Sequence, residues 1–272
     1  MPPAFTEYAH QIAGRSNIVK VFGDHIIKPT SLYEVNSYLK MTPLIADVAP
    51  DCCLVMSNGK LQALRPCGFC SDSVNIHVII QVLNATDAEH FLVMRDVAHG
   101  MIKPRILDLK LGTRTHSDFI SEEKKRSHIQ KSFSTTSSTL GLRLCGAKFY
   151  ENDGSGKVKI SKTEGRTLSD TSFISQMSTF FTICGKQKSL VTKQLFRIKE
   201  ALEATEAQRF FGSSLLVIVD DHLGHEFLEK TVKVKLIDFS SMARSEPGEP
   251  QYVGADRGAI FGVSNLINII SD

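Results

Sequence analysis

An α+β chain of two lobes is the fold class this sequence predicts, and three observations predict it. Short apolar runs bounded by turn residues fill the first 96 residues. Runs with helical spacing alternate with strands after residue 168 and close the chain. No internal repeat or low-complexity linker divides the rest. The expected division is a mainly β lobe with one helix over 1–96 and an α+β lobe over 97–272.

Each element has its own signal. "NIVKVFGDHIIKP" (17–29) reads as two short strands around Gly23-Asp24, and "SLYEVNSYLKM" (31–41) as a helix capped by Ser31. "CCLVMSNGKLQALR" (52–65) carries Asn58-Gly59 between apolar runs, a strong hairpin signal. "NIHVIIQVLN" (75–84) and "HFLVMRDV" (90–97) read as further strands. In the second lobe the pattern predicts a strand over 105–111 and a short basic helix over 121–132. A hairpin around Gly154 and helices over 168–183 and 188–209 follow. On the latter, Val191, Leu195, Ile198 and Leu202 share one face. "SSLLVIVDD" and "TVKVKLIDFSS" are late strands, and "GAIFGVSNLINII" is a closing amphipathic helix.

Composition narrows the function classes. At 272 residues, 42% hydrophobic and 22% charged, the chain can bury a large core. A net charge of +3 is too small to point to nucleic acid, but its placement is uneven. Eight Lys and Arg stand against four acids between Lys103 and Lys131. "MPPAFTEYAHQ" has no secretory pattern, and no apolar run approaches the ~20 residues of a membrane span. Six cysteines in a chain this long are expected as reduced thiols of a cytoplasmic or nuclear protein. Cys67 and Cys70 form a C-x-x-C. A zinc site would need two more ligands from Cys52, Cys53 or His77, so plain thiols are the simpler expectation.

The chemistry gathers at "PRILDLKLGTRTH" (104–116). Residues two apart on a strand share a face, so Asp108 and Lys110 point one way, about 7 Å apart, while Leu107, Leu109 and Leu111 point to a core. Alone, this D-x-K reads first as a surface ion pair. A second carboxylate shifts the balance: Asp238 ends an apolar strand, where an acid needs a cation or a metal. Lys28 ends an early strand six residues before Glu34 on the following helix. By itself it reads equally as a solvated strand-end charge or as the lysine of the strand-to-helix Lys–Glu pair by which protein kinases hold nucleotide phosphates. Without a G-x-G-x-x-G, phosphates would be cradled by the turn at Gly14 or the Gly23 hairpin. "VMRDVAHG" is the natural hinge between lobes. The basic helix reads as a solvated face or, beside Arg114 and His116, as a cluster for a polyanionic acceptor.

"PRILDLKLG" matches the P-x-x-x-D-x-K-x-G signature of the inositol polyphosphate kinases, and "SSLL" (213–216) and "IDF" (237–239) match that family's other landmarks. "STTSSTLGLRLCGAKFY", "EGRTL" and "GADRGAIFGVSNLI" resemble its inositol hexakisphosphate kinase branch, so the resemblance covers nearly the whole chain. It implies a protein-kinase-like bilobal fold with ATP in the interlobe cleft, Mg2+, and phosphoryl transfer to a small inositol phosphate by a monomer. Carried over by position, Lys28 would bind ATP phosphates, Asp238 the magnesium, and residues 95–97, with Arg95 and Val97, the adenine. Leu215 and Leu216 would belong to the strand that floors the nucleotide pocket. Asp108 would touch ribose or orient the acceptor, and Lys110 would contact the transferring phosphate. Lys103, Arg114, His116, Lys124, Lys125 and Lys131 would hold the acceptor. Three departures stand out: Ser241 replaces a family histidine, Arg95 an acidic hinge residue, and a long polar insertion before "IDF" is missing. The alternatives are a multikinase of broad specificity and a catalytically weak polyphosphate-binding protein.

Overall fold

A computed structural model describes residues 5–12, 17–21, 23–84, 86, 88–118, 120–150, 156–183, 185–222, 228–248 and 250–271. The first lobe is built on a six-stranded antiparallel sheet in the order β1-β2-β3-β6-β4-β5. Its strands are β1 (Phe5–Glu7), β2 (Val19–Val21), β3 (His25–Pro29), β4 (Cys52–Ser57), β5 (Lys60–Ala63) and β6 (His90–Arg95). Asn58 and Gly59 take φ of 50° and 73°, the left-handed pair a two-residue hairpin requires. Between β3 and β4 lie α1 (Leu32–Leu39) and α2 (Pro43–Val48). Ser31 and Thr42 cap them by accepting the N–H groups of Glu34 and Ile45.

After β5 come α3 (Gly68–Ser71) and α4 (Ser73–Asn84). The segment 75–84, expected as a strand, is therefore helical. Its β-branched content suits a strand, but Ile79, Val82 and Leu83 bury on one helical face. Asp72 accepts the Val74 and Asn75 N–H groups and starts the helix. The first lobe thus holds four helices among the described residues rather than one.

The second lobe carries a five-stranded antiparallel sheet in the order β12-β11-β7-β8-β9. Its members are β7 (Pro104–Leu111), β8 (Leu142–Tyr150), β9 (Lys157–Ile160), β11 (Ser214–Asp220) and β12 (Val232–Ile237). The turn at Gly154 lies outside the described residues. A small ladder pairs β10 (Gln208–Arg209) with β13 (Ala243–Arg244). The helices are α5 (Glu122–Phe133), α6 (Ser137–Leu140), α7 (Lys162–Thr167), α8 (Asp170–Phe180), α9 (Gly185–Glu203) and α10 (Arg257–Ser271). α9 stops six residues short of the expected end. Ala207 turns left-handed at φ 56° and donates to the Gly254 carbonyl, which aims the chain into β10.

One face of this sheet, with Leu107, Leu109, Leu215 and Val217, packs on Phe173, Val191, Leu195 and Leu266 of α8–α10. The other face looks toward the first lobe. Two close approaches fix the layers: a Cβ on Gly262 would fall 2.3 Å from the Gly141 carbonyl oxygen, and one on Gly165 would fall 2.2 Å from that of Leu144. No described helix is long and apolar enough to cross a membrane.

Candidate active site

β3 alternates, so Ile27 enters the outer core of the first lobe while Ile26 and Lys28 face the cleft between the sheets. α1 starts directly after the strand and sets Glu34 above the lysine. Lys28 Nζ stands 2.9 Å from Glu34 Oε1 and 2.9 Å from Asp238 Oδ1. Glu34 also accepts the Thr30 hydroxyl and, at 3.1 Å, the Phe239 N–H. Burial works against the ammonium, but Asp238 and Glu34 outweigh it and hold its pKa well above the usual lysine range.

Asp238 sits just past β12 with φ 63°, a strained setting for a residue with a Cβ. The neighbouring backbone holds it there: Ser213 Oγ donates to the Asp238 carbonyl at 3.0 Å, and Ser37 Oγ to that of Phe239 at 2.9 Å. Phe239 is fully buried and packs edge-on against Tyr38. Burial pushes the Asp238 carboxyl up, yet Lys28 and Lys110 prevail and keep it below the ordinary carboxylate range.

β7 and β11 pair with Leu216 opposite Asp108 and Ile218 opposite Ile106, and these four line the cleft. Leu215 does not. It is fully buried on the opposite face, in the helix-covered core, so of the expected Leu215 and Leu216 only Leu216 lines the cleft, with Ile218 beside it. Period-two alternation makes the two assignments exclusive. Asp108 is buried, and its Oδ1 has no hydrogen-bond partner among the described residues. Burial raises its pKa to about 6, opposed by Lys110 and reinforced by Asp238. Lys110 Nζ donates to the Gly212 carbonyl. Ser241 borders the same corner, since a Cβ on Gly212 would meet it at 3.5 Å.

The cavity lined by Lys28, Glu34, Asp108 and Asp238 measures about 530 Å³. Ile26, Met94, Ile106, Leu216, Ile218 and Ile237 give it apolar walls, and Tyr8, Gln11 and Ile12 reach over from the β1–β2 connection. Arg95 and Val97 line its hinge edge. The Arg95 N–H is given to the Asp51 carbonyl and that of Asp96 to the Asp24 carbonyl, so neither is open to a ligand. The Arg95 side chain is paired with Asp24. Asp96 went unnoticed in the sequence. Its buried carboxylate takes Tyr8 Oη at 2.6 Å, Lys20 Nζ at 2.8 Å and the Ala98 N–H at 2.9 Å, which anchors the hinge. The Gly23 hairpin sits at this hinge end, away from Lys28, and cannot cradle phosphates. Gly14 lies outside the described residues.

Beyond Lys110 the cleft turns basic. β8 sets Arg143 opposite Lys110, and α7 brings Lys162 within electrostatic reach of both and Arg166 within reach of Arg143. Burial lowers the Lys162 pKa, and Lys110, Arg166 and Arg143 lower it further against the pull of Cys145. His128 on α5 stands 3.3 Å from Thr115 Oγ1; burial lowers its pKa, with Lys131, Arg143 and Lys110 adding to the effect. Sequence reading missed Arg143, Lys162, Arg166 and His128 as site residues. The signal was present for two of them, which stand four apart in "KTEGR" and share a helical face.

The other acceptor candidates divide. His116 is buried, 6.4 Å from the His128 ring, and feels Lys125. Lys124 is exposed on α5, and Lys131 lies in its last turn. Arg114 is spent on the loop itself: it pairs with Asp118, donates to the His116 carbonyl at 3.0 Å and stacks on Phe211. Lys103 lies before β7 with its ammonium over the Tyr150 ring, about 23 Å along the strand from Lys110. Expecting Lys103 at the acceptor is therefore corrected, since sequence neighbourhood is not spatial neighbourhood along a strand. Arg114, by contrast, stays beside His116 in the loop after β7.

Two antiparallel sheets facing one cleft, with a lysine clamped by a helix glutamate and opposed by a strand-end aspartate, define a kinase-like bilobal fold. The chain belongs to the inositol polyphosphate kinase family, whose model matches residues 91–271. It is 34% identical to inositol hexakisphosphate kinase 3 of Mus musculus over 204 residues, 68% of this chain and 52% of that protein. Against inositol hexakisphosphate kinase 2 of Homo sapiens it is 32% identical over 218 residues, 67% and 51% of the two chains. The chain thus spans about half the length of these curated relatives. In fold it is similar to an inositol phosphate multikinase of S. cerevisiae, solved in complex with ADP and Mn2+. That match has a TM-score of 0.69 at 23% identity and covers 92% of this chain and 98% of the other.

Proposed function

We propose that this chain transfers the γ-phosphoryl group of ATP to an inositol phosphate, with inositol hexakisphosphate as preferred acceptor and a diphosphoinositol as product. One observation carries the reading: Lys28, Asp108 and Asp238 line one cavity, and Lys110 and Lys162 stand within electrostatic reach of both carboxylates. Lys28 would sit on the nucleotide phosphates, with Ile106, Leu216 and Ile218 beneath the base. Asp238 and Asp108 fit a divalent cation, because one carboxylate is part-exposed and the other has a buried oxygen lacking a partner among the described residues. Such an ion supplies charge neutralisation between the nucleotide phosphates.

Lys110, Arg143, Lys162 and Arg166 suit an acceptor bearing many phosphates. An acceptor phosphate oxygen attacks the γ-phosphorus, the bond to ADP breaks, and ADP leaves with the electron pair. A phosphate monoester is largely doubly ionised at neutral pH, its second pKa being about 6. It therefore needs cations more than a general base, which is compatible with Ser241 in the histidine slot. We extend the proposal to a monomer, and to the cytoplasm or nucleus, the compartment being supported by the unpaired thiols of Cys52, Cys53, Cys67, Cys70 and Cys145.

The test is a turnover panel of purified chain with ATP, Mg2+ and individual inositol phosphates, read by phosphorus NMR. A diphosphate signal from the hexakisphosphate is expected. Transfer only to hydroxyls of lower inositol phosphates would favour the multikinase reading, and tight binding without transfer would overturn catalysis.

A further inference from the structure

We propose that His25, Cys53, Cys67 and Cys70 bind one structural zinc ion on the outer face of the first lobe. The four come from separate parts of the chain: β3, β4, the residue before α3, and α3 itself. Their ligand atoms all lie within 4.8 Å of one another. Zinc bonds of about 2.3 Å to sulfur and 2.0–2.1 Å to nitrogen give tetrahedral edges of about 3.5–3.8 Å. Cys53 Sγ stands 3.8 Å from Cys67 Sγ and 3.6 Å from His25 Nε2, and Cys67 Sγ stands 3.2 Å from that nitrogen. These three separations are close to the edges of a zinc tetrahedron, and Cys70 Sγ lies within 4.8 Å of the other three ligand atoms. At 3.8 Å the Cys53 and Cys67 sulfurs lie far outside disulfide bonding, and all the described cysteines are unpaired.

The fold explains how the ligands converge. The register between β4 and β6 shifts between Cys52 and Leu54, so Cys53 is the extra residue. Cys52 faces the main core, and the extra residue lets Cys53 and Leu54, though adjacent, both face the outer one. α3 supplies both ends of the C-x-x-C, Cys67 as its N-cap and Cys70 from its buried side. The ligands anticipated from sequence are corrected here: Cys52 points away, and His77 contacts Gln81 on α4. The missing nitrogen comes from His25, which no local spacing links to the cysteines.

The surroundings fit a metal too. His25 and Cys70 are buried, and His25 stacks on Phe69 with ring centroids 4.6 Å apart. His25 Nδ1 stands 2.9 Å from Asp24 Oδ1, though off the line of a well-aligned hydrogen bond. A carboxylate behind a ligating histidine keeps Nε2 as the lone-pair nitrogen. Three sulfurs and one imidazole form a closed four-ligand set with no position left for substrate, the pattern of structural rather than catalytic zinc. The ion would pin the 64–72 connection to β3 and β4. Through Asp24 it would also reach Arg95 at the hinge. It lies on the side of β3 opposite Lys28, outside the cleft.

The test is zinc content of the tag-free full chain by mass spectrometry after dialysis. About one zinc per chain is expected. Cys67→Ser combined with Cys70→Ser should lose it, and Cys52→Ala should keep it. Should the double variant fail to fold, the wild-type protein still decides. Cobalt exchange should produce a thiolate-to-metal band and tetrahedral visible absorption, and a mercurial should release the zinc in step with three thiols. Zinc below about a tenth per chain, with Cys53, Cys67 and Cys70 freely alkylated or with a Cys67–Cys70 disulfide, would overturn the site. None of these readouts depends on kinase activity.

Discussion

Lys28 and Asp238, 210 residues apart in the chain, meet at 2.9 Å across the cleft, with Glu34 bonded to the same ammonium. The contact closes the site around a lysine held between two carboxylates. Removing that cation should have two separable consequences.

Lys28→Met leaves Glu34, whose side chain is 3% exposed, without a counter-charge. Breaking a buried pair by taking one partner costs about 3–5 kcal/mol, so thermal unfolding should shift well down. Phosphoryl transfer should fall at least ~100-fold. Adding Glu34→Gln should recover most of the melting temperature and none of the activity. A single variant that turned over at the wild-type rate would remove Lys28 from the mechanism.

Asp108 gives a pH dependence of stability with an unusual sign. Its pKa is about 6 in the folded protein, above the unfolded value of 3.8, so the folded state binds more protons between those limits. Its contribution to stability is therefore fully present below about pH 4 and is lost as pH rises through about 6. Asp108→Asn should raise the melting temperature at pH 7.5 by more than at pH 4.5, measured without nucleotide or divalent cation. An equal shift at both values would mean the carboxylate is not penalised by burial. Turnover should drop in either case.

Leu215 and Leu216 should behave oppositely, although they are adjacent. Leu215→Ala hollows the helix-covered core and should cost about 2–4 kcal/mol while leaving the nucleotide KM unchanged. Leu216→Phe pushes into the cavity and should raise that KM by about tenfold with a small effect on folding. If both changed KM alike, the assigned faces of β11 would be wrong.

Gly165→Ala forces a Cβ to within 2.2 Å of the Leu144 carbonyl oxygen, so α7 must move off β8. Lys162 and Arg166 move with it. The acceptor KM should rise by about tenfold, the nucleotide KM should hold, and some stability should be lost. A nucleotide effect as large as the acceptor effect would place α7 at the wrong end of the cleft.

Much of the frame was legible from short stretches. Asn58-Gly59 announced a hairpin, Val191, Leu195, Ile198 and Leu202 shared the buried face predicted for them, and the six-residue step from Lys28 to Glu34 anticipated their contact. These signals succeed because turn dihedrals, helix periodicity and strand-to-helix steps are local properties of a few residues. The strand expected over 75–84 failed for the complementary reason. Ile, Val and Asn suit two local conformations, and packing of Ile79 and Leu83 chose the helix.

By itself, the sequence determined the two-lobe α+β plan, the strand bearing Asp108 and Lys110, and the carboxylate at Asp238. Only the tertiary structure decided that, of Leu215 and Leu216, Leu216 faces the cleft and that Lys103 lies at the far end of its strand from Lys110. It alone brought Lys162 within electrostatic reach of Asp108 and Lys110, and His25 to the cysteines. A strand covered on both faces carries apolar residues at every position, so its pattern cannot say which face meets the ligand. Convergence of residues far apart in the chain depends on how sheets and helices close on one another, and no local preference encodes it.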